Sequence, residues 1–122
     1  MFDKLESVVN RHEQIGIELT RPDVASDNEL FRKLMKEYSE LTPLVEKYKE
    51  YVAAKNAEKE ALEILAEPNL DKDFKELAEE ELKEAKENIT LLVVKLKKMK
   101  QMMRLHIENY SKKQELAKLI LN

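Results

Sequence analysis

Apolar residues recur along this chain at spacings of three and four, the period of helices that bury one face. Phe2, Leu5, Val8/Val9, His12, Ile15 and Leu19 follow one another in this way, so a helix is expected over residues 3–19. The pattern fails over residues 20–27. Pro22 disfavours helix at Arg21, and Asp27 suits the N-cap of a second helix, so this stretch reads as a loop. That second helix starts near Asn28, with Leu30/Phe31, Leu34/Met35, Tyr38 and Leu41 on one side. Thr42-Pro43, with Glu46 in the next turn, reads as a threonine N-cap followed by proline at the first helical position, a fresh helix start. A break or sharp kink is therefore expected there. Beyond it Leu44/Val45, Tyr48, Val52, Ala57, Ala61, Leu62 and Leu65 continue an increasingly alanine-rich stripe until Glu67-Pro68-Asn69.

The last stretch is the most regular. Ala78, Leu82, Ala85, Ile89, Leu92, Leu96, Met99, Met103, His106, Tyr110, Lys113, Ala117 and Ile120 alternate steps of four and three, as in a coiled coil, with His106 and Lys113 as the polar members. No glycine or proline interrupts residues 71–122. One continuous helix would then reach about 75 Å at about 1.5 Å per residue. Residues 43–67 could cover only about half of it as an antiparallel hairpin. The part beyond Met103 must therefore fold back, or pair with a second chain through Ile107, Tyr110, Ala117 and Ile120 as a homo-oligomer. The expected fold is all-α: an antiparallel helical hairpin or small bundle with a long, coiled-coil-like C-terminal helix.

Composition agrees with this picture. One glycine, three prolines, 39% charged and 43% hydrophobic residues in 122 suit a single domain of amphipathic helices. The chain has no cysteine, which excludes disulfides, thiolate metal sites and thiol nucleophiles and fits the cytoplasm. Residues 1–10 lack the basic and apolar regions of a signal peptide. The longest apolar run, residues 89–94 with Thr90 inside it, is far short of the roughly 20 residues that span a bilayer. The net charge of −3 is unevenly spread. Residues 1–94 hold 14 Lys/Arg against 23 Asp/Glu, whereas residues 95–122 hold 8 against 2. A basic end can serve an acidic partner or nucleic acid, but without interleaved aromatic residues it reads first as a solvated helix face.

Candidate chemistry is sparse. His12 and His106 lie on apolar stripes with no second histidine four residues on, so no metal site is expected. Glu76, Glu79, Glu80, Glu81, Glu84 and Glu87 point in different directions round a helix, with Lys83 and Lys86 near enough to pair with them. That arrangement predicts a salt-bridged solvated face rather than an acid–base pair. Ser7, Ser26, Ser39 and Ser111 have cap or surface readings, and Gly16 alone cannot form a phosphate-cradling loop. Met99 and Met103 read as core. No catalytic, cofactor-binding or metal-binding residue is assigned, and no enzyme is expected.

Read in order, several segments are similar to the amino-terminal domain of bacterial class I peptide chain release factors, the type that reads UAA and UAG. Met1-Phe2-Asp3-Lys4-Leu5 with Arg11, then Pro22-Asp23-Val24 and Ser26-Asp27, resemble that family's first helix and loop. Phe31-Arg32-Lys33-Leu34 and Lys36-Glu37-Tyr38, with Leu41, Pro43, Val45 and Tyr48, resemble its second helical stretch, and Leu77-Ala78-Glu79-Glu80-Glu81-Leu82 its third. The likeness covers residues 1–96, and residues 97–122 are expected as a divergent basic tail continuing the last helix.

The resemblance implies a helical arm that contacts the ribosome near its GTPase-associated centre and bears on the GTPase release factor. In the family, peptide release belongs to a Gly-Gly-Gln loop and stop-codon reading to a Pro-X-Thr tripeptide. This sequence has neither: Gly16 is its only glycine, and Pro22, Pro43 and Pro68 are followed two residues on by Val24, Val45 and Leu70. After Leu96 the family would pass into a Leu-Leu-Pro-Lys-Asp stretch and a glycine-rich catalytic domain, whereas here Lys97-Lys98-Met99-Lys100-Gln101-Met102-Met103 comes next. A natural truncation, a frameshifted end and an artificial end are the alternatives. The expected function is docking without peptide release. A generic coiled-coil scaffold is the rival reading, although it would need neither the Pro22 loop nor a break at Thr42-Pro43.

Overall fold

The computed structural model describes residues 2–121, and the side chains of all of these except Asp3, Tyr110, Gln114, Ala117 and Leu121. Every regular element among them is helical: α1 (Asp3–Glu18), α2 (Pro22–Ala25), α3 (Asn28–Leu65), α4 (Lys72–Met102) and α5 (Arg104–Leu121). The chain divides into two compact units. The first comprises Met1–Glu46 and Met99–Asn122, and the second is Lys47–Lys98.

In the first unit, α1 buries the face its sequence marked out, through Phe2, Leu5, Val8 and Ile15. The segment after it is not wholly irregular. Arg21 is extended ahead of proline, and Pro22 opens the single-turn α2, which buries Val24. Asp27 caps α3 as expected, its Oδ1 accepting from the Leu30 N–H at 3.1 Å. Leu34, Leu41, Leu44 and Val45 of α3 complete the buried set together with Ile107 of α5.

The break expected at Thr42-Pro43 does not occur. α3 runs through Pro43 without interruption. Proline removes one helical donor and leaves the Ser39 carbonyl without its usual partner, a cost of about 3 kcal/mol in a helix interior. Three local features offset it. Ser39 is exposed, so its carbonyl can be solvated. The Thr42 hydroxyl turns back to donate to the Tyr38 carbonyl at 2.7 Å instead of capping a new helix. Leu41, Leu44 and Val45, immediately around the proline, are among the most deeply buried residues, and a break would take them out of register with the core.

The second unit is a helical hairpin made of Lys47–Leu65 of α3 and the α4 residues up to Lys98. Asn69 reverses the chain at φ 61°, a left-handed conformation that asparagine tolerates better than most residues. Its buried residues are Ala54, Ala61, Ala78, Ala85, Leu92 and Leu96. Ala54 and Ala85 lie equally far along the chain from the turn between Asn69 and Leu70, as do Ala61 and Ala78. In an antiparallel pair they therefore fall at the same two levels. Side chains this small let helices approach closely. The α4 stripe is the predicted one. On the α3 arm of the hairpin the buried positions are Ala54 and Ala61; Ala61 belongs to the expected stripe, whereas Val52, Ala57 and Leu62 of that stripe are exposed.

The single helix expected over residues 71–122 is interrupted once. Met103 forms a turn, its N–H donating to the Met99 carbonyl and its carbonyl accepting from the Ile107 N–H, both at 3.0 Å. After the turn α5 packs on α1. One face of the part beyond Met103 is thus covered within the chain, by α1. Ile107 is buried and His106 exposed, the reverse of the expected repeat: Ala85, Leu96 and Ile107 follow one another at eleven residues, close to three turns at about 3.6 residues per turn, so the buried face keeps the straight-helix period rather than the heptad. Lys113 and Ile120 are exposed as well, whereas the side chains of Tyr110 and Ala117 lie outside the described residues.

Candidate interaction surfaces

Polar side chains fix α1 against α3 in the first unit. The Arg11 guanidinium reaches Glu37 with both arms, Nε to Oε1 at 2.9 Å and Nη2 to Oε2 at 3.0 Å, a bidentate pair that is only partly exposed. One residue on, the His12 ring stacks on Tyr38 with centroids 4.1 Å apart, and its Nε2 lies 2.9 Å from Thr42 Oγ1. Because the Thr42 proton is given to the Tyr38 carbonyl, the Thr42 oxygen must accept, so Nε2 of His12 carries the proton. A turn further, a Cβ placed on Gly16 would stand 3.5 Å from Tyr38 Cε2. Tyr38 thus lies along α1 between positions 12 and 16. Lys100 holds its ammonium 5.9 Å from the centre of the Phe2 ring, a cation–π contact within the same unit.

His12 is therefore a structural residue that ties two helices together, and His106 is exposed near the start of α5. Among the described residues no three histidine, cysteine or acidic side chains are grouped so as to hold a metal ion. Ion pairs among the described residues join Arg11 to Glu37, Lys47 to Glu50 and Lys55 to Glu58. The acidic run on α4 is exposed, and the expected pairing with Lys83 and Lys86 is not among them. Long side chains on an exposed helix lose more freedom on pairing than they gain in high dielectric, so the α4 run remains a solvated face. Ser26 donates to the Asp23 carbonyl at 3.1 Å and closes a turn, in keeping with its cap reading.

Two shallow open depressions bear on recognition. One is lined by Asn28, Glu29, Arg32, Lys33 and Lys36 along one side of α3, the other by Gln101, Met102, Arg104, Leu105 and His106 around the α4–α5 turn. Neither places a nucleophile beside a base. What these surfaces offer is charge and apolar area on helix faces, which suits recognition of a macromolecule. The cross-helix pairs of Arg11 and His12 had no marker in the sequence, because helical period shows which face is buried and not which polar residues meet across it.

This all-helical chain matches the family model of the PCRF domain over residues 8–116, and it belongs to that family. Its relatives are translation termination factors. It is 47% identical over 97 residues to peptide chain release factor 1 of Agathobacter rectalis, 44% identical to that of Lachnoclostridium phytofermentans and 40% to that of Lactococcus lactis. Each alignment covers 80% of this chain but 27% of the relative, so the chain spans about a quarter of the length of the proteins it resembles. No solved structure matches it significantly.

Proposed function

We propose that this chain is a docking module of translation termination: it binds the ribosome through helix faces in the cytoplasm, bears on the partner GTPase release factor and releases no peptide itself. The 47% identity to a peptide chain release factor 1 across four-fifths of the chain carries the reading. Residues 1–96 form the release-factor-like part and residues 97–122 a basic helical tail. Recognition rests on shape and on unevenly distributed charge, so binding is weak and sensitive to salt.

Co-sedimentation of the purified chain with ribosomes tests this directly. Enrichment in the pellet at low salt that is lost at high salt is the expected result, and no enrichment at low salt overturns it. Peptidyl-tRNA on the same ribosomes is expected to stay intact; turnover by this chain alone would contradict the non-catalytic assignment. A coiled-coil scaffold with no ribosomal role is the second reading, favoured only by the sustained heptads of α4. It predicts no enrichment at any salt concentration.

A further inference from the structure

We infer that α5 carries a second, outward seam through which two copies of this chain pair in parallel. The inward face of α5 is occupied: Ile107 is buried in the unit where α5 packs on α1. The opposite face is apolar too. From Ile107 to Leu116 is nine residues, about two and a half turns, which sets the two on opposite sides of the helix. Centred on Leu116, the positions Leu105, Asn109, Lys112, Leu116 and Leu119 alternate steps of four and three. The three leucines remain 71%, 58% and 75% exposed. A heptad seam whose leucines stay in water on a helix already packed on its other side has the form of half an interface.

The occupant and its direction are set by the flanking charges. Taking Leu105, Lys112 and Leu119 as d positions makes Asn109 and Leu116 a positions. Glu108 and Glu115 then fall at g, and His106, Lys113 and Ile120 at e. In a parallel pair, g of one copy faces e of the other one heptad on, which sets Glu108 against Lys113. An antiparallel pair, in which a positions face d positions, would bring Glu108 of each copy near Glu115 of the other, like charge against like, and Lys113 near His106 with no carboxylate to meet it. Asparagine at an a position also fixes register at a cost in stability. Lys112 at d keeps its ammonium in water and lays its stem along the seam, which weakens the pair without forbidding it. With only two heptads, the association is weak and depends on concentration.

Because the chain has no cysteine, single-cysteine variants read the geometry cleanly. Leu105→Cys and Leu116→Cys, both at exposed positions, are expected to form disulfide-linked dimers under mild oxidation. The unaltered chain should show a mass rising from monomer towards dimer across the micromolar range in sedimentation. Lys112→Leu is expected to tighten the association at least roughly tenfold, since it buries a leucine in place of a charge. Leu116→Ala should weaken it by a similar factor, and Leu77→Ala, on the exposed surface of α4, should leave it unchanged. A chain that stays monomeric at high micromolar concentration, with no disulfide dimer from either variant, overturns the proposal. So does cross-linking only between Leu105→Cys and Leu116→Cys partners, the antiparallel result. Neither outcome bears on ribosome co-sedimentation, so the two proposals fail independently.

Discussion

The first unit and the hairpin unit are built from the same amphipathic pattern but hold together by different means. In the first, large aliphatic side chains from α1, α3 and α5 fill the interior, and polar groups join one helix to another: Arg11 to Glu37 and His12 to Thr42. In the second, half or more of the buried positions are alanines, and its ion pairs, Lys47–Glu50 and Lys55–Glu58, join neighbouring turns of one helix. Such pairs support a helix without fixing it to another. One unit is thus specified by cross-links and volume, the other by the absence of volume where two helices meet.

Substitutions can break the contrast at either end. The largest effect is expected from Leu41→Ala in the first unit, where a fully buried leucine leaves a cavity. Denaturant unfolding followed by circular dichroism should show a loss of about 2–5 kcal/mol. Pro43→Ala should act in the opposite direction, restoring the donor to the Ser39 carbonyl and raising stability by about 1–3 kcal/mol in the same assay. If the helix really ended at Thr42, that change would be near neutral or harmful. In the hairpin, truncation has little left to remove, and enlargement is the sensitive test. Ala61→Leu or Ala85→Leu should cost about 1–3 kcal/mol by forcing the helices apart.

Smaller effects sharpen the comparison. Removing the partly buried Arg11–Glu37 link by Arg11→Ala should cost about 1 kcal/mol, with coupling to Glu37→Ala in a double-mutant cycle. Lys55→Ala in the exposed hairpin pair should fall within about 0.5 kcal/mol of zero. Gly16→Ala is expected to stabilise the first unit by about 0.4–1 kcal/mol, visible as a raised Tm, because the added methyl group meets Tyr38 at ordinary contact distance and α1 gains a better helix former.

What could be read from the sequence was what periodicity encodes. The buried faces of α1 and α4, from Leu5, Val8 and Ile15 to Ala78, Ala85, Leu92 and Leu96, are direct consequences of spacing. Pro43 misled because the same residues that start a helix can sit inside one when neighbouring leucines and a threonine back-bond compensate. The turn at Met103 has no glycine or proline to announce it. His106 and Ile107 were assigned the wrong way round because a strict heptad drifts from the roughly 3.6-residue period, which carries the face of Ala85 and Leu96 to Ile107. The Arg11–Glu37 and His12–Thr42 contacts depend on the register of α1 against α3, which helical period alone does not determine.

Native-state hydrogen exchange, read residue by residue, addresses the contrast between the units most directly. Amides of Leu5–Ile15, and those of α3 on both sides of Pro43, should exchange slowest, with those of the hairpin near Ala61 and Ala78 opening at lower free energy. Equal protection in both units, or rapid exchange around Leu41 and Val45, would contradict the account.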